Sequence, residues 1–495
     1  MAAGAGALTA LASLAGLAVL GGAGSAGSDR PVAAENRTAT STVPAASRSG
    51  SAAVPSGSAG GGQVTRGLAG QAAPGALLPG PAPAVLPPLD EAAPAPAPAV
   101  LAARLRPLLA APALGGSASV DVVDPVTRRH LAGFGGAVGR TPASTAKLLT
   151  AAAALALIGP DTPLRTRVVT GATPDEIVLV GGGDVLMSAG RGDPFAVDGR
   201  AGLDDLATAT AAALRAQGRA RVAVRLDDRL FTGAAISPGW PAGSIQSGFV
   251  APVMAIEVHA GRVDGDRFAA RLTDPALGAA KSFAAALVRR GIAVTGPIAR
   301  AGSDSTADEL AGVDSAPLAD VVEYALTSSD NTVAEALARL VAWRSARPAT
   351  FADAGVAILD QISLLGVPVA GARLADGSGL SAASKIPVGV LTGLLALAAS
   401  RRHPELRRLL TGLPVAGASG TLADRFDAPE LRPAAGVVRA KTGTLNGVHA
   451  LAGTVVDADG RLLVFAVLVD AAPKGDAAVQ VIDSIAATLA GCGCR

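Results

Sequence analysis

Ser144 and Lys147 stand three residues apart near the start of a predicted helix, in the segment Ser-Thr-Ala-Lys. Residues at this spacing share one face of a helix, so the lysine ammonium group can reach the serine hydroxyl. A serine hydroxyl is a weak nucleophile until a base removes its proton, and lysine can be that base when burial and a neighbouring cation lower its pKa. Backbone N–H groups in the first helical turn can stabilise an oxyanion. The pair is therefore a candidate nucleophile and base, although a solvated helix face explains most occurrences of this spacing.

Ser329 and Asn331 lie on a short predicted link between two helices, on either side of Asp330. A hydroxyl in this place can pass a proton between a lysine and a leaving nitrogen, and an asparagine amide can hold a peptide group of a substrate. Asp330 would also serve well as the cap of a helix that begins at Asn331. A plain helix cap is therefore the alternative explanation of this segment.

A Lys-Thr-Gly-Thr segment, residues 441–444, stands at the end of a predicted strand. Gly443 would let a substrate backbone approach closely, because glycine has no side chain. The hydroxyls of Thr442 and Thr444 can bind a carboxylate, and Lys441 supplies positive charge. A strand that ends in a polar turn is the alternative.

The scarcity of lysine and asparagine makes the combination of these three motifs informative. The chain has five lysines and three asparagines, and two of the lysines and one asparagine fall in the motifs. A chance match in this order is on the order of one in a thousand. The three segments are therefore expected to form one site.

The ordered set resembles the signature of the penicillin-binding proteins and serine β-lactamases. The long interval between Lys147 and Ser329 is similar to that of one branch, the D-Ala-D-Ala carboxypeptidase/endopeptidases (class C low-molecular-mass penicillin-binding proteins, peptidase family S13). The resemblance covers roughly residues 100–490, and it includes the segments 181–184, 376–381 and 419–422.

The resemblance implies a penicillin-inhibited hydrolase that acts on peptidoglycan stem peptides through an acyl-enzyme. Ser144 would attack the D-Ala-D-Ala carbonyl, Lys147 would act as general base and Ser329 would relay the proton. Water would then complete hydrolysis, whereas penicillin would leave a long-lived acyl-enzyme.

The resemblance also implies the residues that bind the substrate. Asn331 would position the substrate amide, while Lys441, Thr442 and Thr444 would hold the terminal carboxylate. The backbone N–H groups of Ser144 and Thr444 would form the oxyanion hole.

Two positions bear on recognition of the stem peptide. The family usually has arginine after its Gly-Ser-Gly-Leu-Ser stretch, where this chain has Ala382. Asp184 is a candidate contact for the cationic end of a diaminopimelate side chain. Its alternative is a turn residue that follows three glycines.

The elements around the motifs predict an α+β fold, with helices flanking an antiparallel sheet as in the penicillin-binding and β-lactamase-like transpeptidase domain. A helix is expected from Pro142, capped by Thr141, to Leu157. Strands are expected at 119–124, 130–134, 437–442, 448–456 and 462–470, followed by a helix to Leu489.

The domain organisation follows from changes in composition along the chain. Residues 1–27 resemble a signal peptide or signal-anchor, and residues 28–100, rich in Ala, Pro and Gly, are predicted to be a disordered linker. The catalytic domain would comprise 101–165 and 306–495, with a smaller inserted domain at 166–305. This order predicts an extracytoplasmic enzyme, secreted or anchored to the membrane at the cell wall.

The net charge of +2, without blocks of like charge, argues against nucleic acid as a partner. No cofactor or metal is expected, because Cys492 and Cys494 have too few potential ligands near them. This pair could form a small loop, pair between chains or stay reduced, within a dispensable tail. The oligomeric state is open.

Three alternatives use the same residues differently. A serine β-lactamase would have the same motifs and would deacylate fast. A penicillin-sensing wall protein would keep the fold without catalysis. A histidine-dependent serine hydrolase would need one of the four histidines, such as His449, beside the serine.

Overall fold

The computed structural model describes residues 91–494. Within them, the α-helices are α1 (Pro98–Leu109), α2 (Lys147–Ile158), α3 (Leu203–Ala216), α4 (Pro275–Arg289), α5 (Leu318–Ser328), α6 (Asn331–Arg344), α7 (Phe351–Leu364), α8 (Val388–Ala399), α9 (Arg407–Thr411) and α10 (Ala477–Ala490). The strands are β1 (Ala118–Asp124), β2 (Arg129–Phe134), β3 (Gly139–Arg140), β4 (Pro163–Thr170), β5 (Glu176–Val180), β6 (Asp184–Met187), β7 (Arg221–Asp227), β8 (Ile256–Val258), β9 (Ala293–Val294), β10 (Ala299–Arg300), β11 (Glu309–Pro317), β12 (Ile386–Pro387), β13 (Val438–Leu445), β14 (Val448–Val456) and β15 (Leu462–Val469).

Five antiparallel strands form the first sheet, in the order β13-β14-β15-β1-β2. Successive side chains of a strand point to opposite faces, and along β15 both faces are buried. Val464, Ala466 and Leu468 belong to one core with helices α2, α5, α6, α7 and α8. Phe465 and Val467 belong to the other core with α1 and α10. This arrangement of helices on both faces of an antiparallel sheet confirms the predicted α+β class.

The second sheet lies between α2 and α5 in the chain, where the insertion was predicted. It has the strand order β10-β7-β5-β4-β11, with the short β9 beside β7. Helices α3 and α4 pack on it around a separate core that includes Leu206, Leu214 and Phe283. Because β4 begins at Pro163 and β11 ends at Pro317, we call residues 163–317 the insertion; it extends slightly beyond the expected limits of 166 and 305.

Residues 91–100, predicted as the end of the linker, are part of this fold. Helix α1 begins at Pro98, and the side chains of Leu101 and Leu105 are fully buried in the core of the second face. The predicted boundary at residue 100 therefore falls within the first turn of α1, and the helix itself was not predicted because its stability comes from packing on the first sheet rather than from its own pattern.

The last residues of the chain are also packed, so the expected dispensable tail is wrong. Cys492 and Cys494 form a disulfide, and both are buried beside α1 and α10. The backbone N–H of Ala97 donates to the carbonyl of Cys494 at 2.6 Å. The two ends of the described chain therefore meet on the same side of the first sheet.

No helix within residues 91–494 has both the length and the apolar character needed to cross a membrane. The predicted signal peptide or anchor at 1–27, and the predicted linker up to residue 90, lie outside the described residues.

Candidate active site

Ser144 lies in a single 3₁₀ turn, Ala143–Ala146, which runs directly into α2 at Lys147. Side chains at i and i+3 are aligned in a 3₁₀ helix, so the turn still places Lys147 beside Ser144. The predicted α-helical first turn with a threonine cap is wrong, because the hydroxyl of Thr141 donates to the carbonyl of Ala382 at 3.2 Å. Ala143 has a φ of 45°, a left-handed conformation that few residues other than glycine adopt. The backbone just before Ser144 is therefore strained.

The ammonium group of Lys147 uses all three of its donors within the site. Its Nζ lies 2.9 Å from Ser144 Oγ, 2.6 Å from Asn331 Oδ1 and 2.9 Å from the carbonyl oxygen of Ser378. The lysine side chain is 1% exposed, whereas Ser144 is half-buried at the edge of the site. Lys147 is thus positioned to take the proton of Ser144 in a place that water does not screen.

Glu335 supports the lysine from the next helix. Its carboxylate is fully buried and accepts hydrogen bonds from the backbone N–H groups of Gly377 and Ser378, at 3.0 and 2.8 Å. These bonds hold the Ser378 peptide, whose carbonyl accepts a bond from Lys147.

Asp376 is a second buried carboxylate behind the lysine. It accepts bonds from the N–H groups of Gly379 and Ser381, at 2.9 and 2.7 Å, and from the indole Nε1 of Trp240 at 3.0 Å. The Trp240 contact joins the insertion to this loop.

Burial sets the protonation of these groups. It lowers the pKa of Lys147 to about 8, against the charges of Glu335, Asp376 and Asp330, which favour the ammonium form. Burial also raises the pKa of Glu335 to about 7, and the charge of Asp376 acts in the same direction. A lysine with this pKa is neutral in a useful fraction of molecules near neutral pH, as a general base requires.

Glu335 and Asp376 were not among the residues predicted for the site. Glu335 follows Asn331 by four residues, and this spacing on a helix places both side chains on one face. That spacing was the available signal for Glu335. Asp376 comes near Lys147 only through the folding of its loop.

Ser329 follows α5 with a left-handed backbone, φ 57°. Its Oγ accepts a hydrogen bond from Lys441 Nζ at 2.8 Å, so the hydroxyl proton of Ser329 remains available to a substrate. Lys441 also donates to the carbonyl of Thr442 at 2.9 Å. Burial lowers the pKa of Lys441 well below its usual range, and the positive charges of Lys147 and Arg267 add to this.

The link between α5 and α6 also holds the insertion. Asn331 Nδ2 donates to the carbonyl of Phe249 at 2.9 Å, and Asp330 forms a buried ion pair with Arg262. Asp330 also caps α6 by accepting from the N–H of Val333 at 3.1 Å. Both explanations of this segment therefore hold: Asp330 is a cap, and its two neighbours belong to the site.

The third motif lies inside β13, which continues to Leu445 instead of ending at Thr442 as predicted. Thr442 Oγ1 is 2.7 Å from Thr421 Oγ1, and Thr444 is exposed. A Cβ atom on Gly443 would lie 2.7 Å from the carbonyl oxygen of Pro142. Gly443 therefore lets the strand lie against the Ser144 turn, a different reason from the close substrate approach that was expected.

Asp184 forms no hydrogen bond with a residue of the three motifs within residues 91–494. It is 3% exposed and accepts a bond from the N–H of Leu186 at 2.9 Å, and burial raises its pKa to about 7. A Cβ on the preceding Gly182 would lie 1.9 Å from the carbonyl oxygen of Arg165. The glycine-rich segment thus packs the insertion against itself.

His449 faces Thr444 across the β13–β14 ladder and is 8% exposed. Burial lowers its pKa, and within residues 91–494 no hydrogen bond joins its ring to Ser144 or to a carboxylate. The other three histidines are bonded to Asp121, Asp198 and Glu405, so no hydrogen bond within residues 91–494 supports a serine–histidine pair at Ser144.

The structure connects the three motifs by direct hydrogen bonds. Lys147 joins Ser144 to Asn331, and Lys441 joins the Ser329 link to β13. The arrangement can activate a serine hydroxyl by a buried lysine and donate a second proton from a nearby serine. Acyl transfer through a serine ester is the chemistry that it suits.

The model of the D-Ala-D-Ala carboxypeptidase 3 (S13) family matches residues 101–267 and 264–490. The chain is 38% identical over 432 residues to the carboxypeptidase DacB of Mycolicibacterium smegmatis, covering 86% of this chain and 91% of that protein. It is 37% identical over 413 residues to a carboxypeptidase of Mycobacterium tuberculosis, covering 82% and 87%.

The fold is similar to the crystal structure of penicillin-binding protein 4 of Haemophilus influenzae. The TM-score is 0.62 at 22% identity, over 74% of this chain and 95% of the other. The family model, the two relatives and the fold agree with the resemblance drawn from the three motifs. The chain belongs to the D-Ala-D-Ala carboxypeptidase 3 (S13) family.

Proposed function

We propose that the described site carries out the D-Ala-D-Ala carboxypeptidase reaction of this family with Ser144 as its nucleophile. The observation that carries the proposal is the 2.9 Å contact between Ser144 Oγ and the buried Nζ of Lys147, whose pKa is lowered to about 8. When Lys147 is neutral, its lone pair takes the serine proton as Oγ attacks the penultimate D-Ala carbonyl. The product of this step is an ester between Ser144 and the shortened peptide.

Ser329 and Asn331 serve the same step. Ser329 donates its hydroxyl proton to the leaving nitrogen, and Lys441, bonded to its oxygen, replaces that proton. Asn331 lies between Lys147 and the Phe249 carbonyl, where its amide can also bind the substrate peptide group. Thr442 and Thr444 bind the terminal carboxylate, and the N–H groups of Ser144 and Thr444 stabilise the oxyanion.

The substrates are peptidoglycan stem peptides, and the reaction takes place outside the cytoplasm. β-Lactams acylate the same serine, since their strained amide takes the place of the peptide bond. The role of residues 1–27 as a signal peptide or membrane anchor, and the contact of Asp184 with a stem side chain, remain predictions. The buried position of Asp184 gives the second of these no support.

Labelling with a fluorescent penicillin tests the nucleophile. The intact chain should be labelled covalently, and Ser144→Ala should abolish the label because no other hydroxyl contacts Lys147 Nζ within residues 91–494. Ser363→Ala, a change at an exposed serine on α7, is the matched control and should be labelled like the wild type.

Two further measurements separate the alternatives. A D-Ala-D-Ala pentapeptide should release D-alanine, and absence of release from a labelled protein would favour the penicillin sensor. The label should persist, whereas rapid turnover of nitrocefin would favour a β-lactamase. Labelling that survives in Ser144→Ala would overturn the proposed mechanism.

A further inference from the structure

A hairpin loop of the insertion places Arg267 beside the second motif. Residues Arg262 and Arg271 pair in antiparallel fashion at the base of the loop, and the N–H of Val263 donates to the carbonyl of Ala270 at 3.1 Å. At the exposed tip, Arg267 donates from Nη2 to the carbonyl of Ser328. This carbonyl belongs to the residue that directly precedes Ser329.

The base of the loop is held firmly, which fixes where its tip can reach. Arg262 is 7% exposed and forms its buried ion pair with Asp330. Arg271 is also 7% exposed and donates to the carbonyls of Gly248 and Ala260, both at distances below 3 Å. The loop is therefore built onto the link between α5 and α6.

The guanidinium group of Arg267 has unused binding capacity. Arginine has five N–H donors, and the contacts of Arg267 are the Ser328 carbonyl and the ring of Phe268, whose centroid is 5.1 Å away. Within residues 91–494 it forms no ion pair with a carboxylate. The nearby Asp266 accepts instead from the backbone N–H of Phe268 at 2.9 Å.

The positive charge of Arg267 acts on both lysines of the site. Arg267 is among the charges that lower the pKa of both Lys147 and Lys441, so its field reaches both lysines. Burial disfavours the charged form of these lysines, whereas arginine stays protonated in proteins. Arg267 therefore supplies this side of the site with a positive charge that does not depend on pH.

We propose that Arg267 is a substrate-binding residue that pairs with the terminal carboxylate of the leaving D-alanine. The inference rests on the proposed function, in which Ser329 protonates the leaving nitrogen, because Arg267 is bonded to the neighbouring residue of that serine. A cavity of about 520 Å³ opens here, and its lining includes Arg267, Ser328, Arg408, Asp320 and Glu323. Asp320 and Glu323 are both paired with Arg408, which leaves Arg267 as the lining cation with free donors for the leaving carboxylate.

Two substrates that differ only at the C-terminus test this pairing. One is a D-Ala-D-Ala pentapeptide with a free carboxylate, and the other is the same peptide with a C-terminal amide. Arg267→Gln should lower kcat/KM for the acid by at least about tenfold, mainly through KM, because one charged contact is lost. For the amide, wild type and Arg267→Gln should agree within about twofold, since the contact is absent from both.

Two further variants complete the comparison. Arg267→Lys should recover part of the activity on the acid, because it keeps the charge without the guanidinium geometry. Arg347→Gln is the matched control, since Arg347 is exposed and already paired with Asp360 at 2.8 Å. It should behave like the wild type on both peptides.

The possible failures are distinguishable. Equal losses on acid and amide would show a structural role for Arg267 and overturn the pairing, as would an unchanged rate on the acid. Absence of D-alanine release by the wild type would instead count against the proposed function. Thermal unfolding followed by circular dichroism establishes that each variant is folded.

Discussion

At the scale of single residues, the site contains two buried lysines with different charged surroundings. Lys147 and Lys441 are both removed from water, and burial lowers the pKa of each. Lys147 is surrounded by the buried carboxylates Glu335 and Asp376 and by Asp330, which partly restore its affinity for a proton. The neighbouring charges that act on Lys441, those of Lys147 and Arg267, are positive instead and lower its pKa further. The difference suits Lys147 to exchange a proton at a pH near 8.

The pH dependence of acylation follows from this balance. Because only neutral Lys147 can act as base, the acylation rate should rise with pH and level off above about 8. Glu335→Gln removes an anion that favours the ammonium form of Lys147, so the pKa of this lysine should fall. The rise in acylation rate with pH should then occur at lower pH than in the wild type. Stopped-flow measurement of acylation by a chromogenic β-lactam at a series of pH values gives this dependence of rate on pH.

A control separates this charge effect from a loss of structure. The glutamine has one acceptor oxygen for two backbone N–H groups, so we expect a loss of about 1–3 kcal/mol in the free energy of unfolding. Asp360→Asn, a change at an exposed carboxylate on α7, should alter neither the pH dependence of acylation nor the free energy of unfolding. An unchanged pH dependence of acylation in Glu335→Gln would show that this carboxylate does not affect the pKa of Lys147.

At the scale of elements, close backbone packing places Ser144, the proposed nucleophile. Strand β13 lies against the Ser144 turn at Gly443, and the loop that follows α7 reaches the turn at Gly379. Gly379 has a φ of 79°, and a Cβ there would lie 1.8 Å from the carbonyl oxygen of Ala143. These two contacts hold the strained residue before Ser144 in place.

Gly443→Ala tests the strand contact. The added methyl group would lie 2.7 Å from the Pro142 carbonyl and 3.1 Å from the Ala143 Cβ, so the strand and the turn must move apart. A small displacement of reacting groups costs much of the rate, and we expect kcat/KM to fall by about tenfold to a hundredfold. Gly136→Ala is the matched control, because a Cβ there meets nothing within 4 Å. A variant with wild-type rates would show that the strand does not position the turn.

At the scale of the whole molecule, the site lies on one side of the first sheet and the two ends of the described chain pack on the other. Helices α2, α5 and α6, next to which the candidate site residues lie, belong to the first core. Helix α1, the C-terminal helix α10 and the two cysteines belong to the second core. Stability and catalysis should therefore be separable by substitutions in the second core.

Leu101→Ala makes this separation measurable. Leu101 is fully buried in α1, so its truncation should cost about 2–5 kcal/mol of unfolding free energy, measured in urea. The rate of penicillin acylation at low temperature should stay that of the wild type. Leu364→Ala, at a position that is 78% exposed, should cost less than about 0.5 kcal/mol. Similar costs for the two variants would indicate that α1 is not part of the core.

Much of the site was open to prediction because its residues are local motifs. The spacing of Ser144 and Lys147, the helix break at Ser329 and the strand at Lys441 depend on neighbouring residues in the chain, and each was found close to its predicted element. The helix boundary before Ser144 was wrong, since contacts with β13 and Gly379 override the local cap signal. Helix α1 was not predicted, and the structured part of the chain begins a few residues before the expected limit of 101, because α1 is stabilised by packing.

The amino-acid sequence by itself determined the three motifs, their order, the α+β class and the family, since these depend on residue identity and short-range periodicity. The tertiary structure alone decided which side chains meet. It brought Glu335 and Asp376 near Lys147, buried Asp184 within the insertion and bonded Arg267 to the carbonyl of Ser328. These outcomes depend on contacts between residues far apart in the chain, and on the burial that shifts their pKa values, which no local pattern encodes.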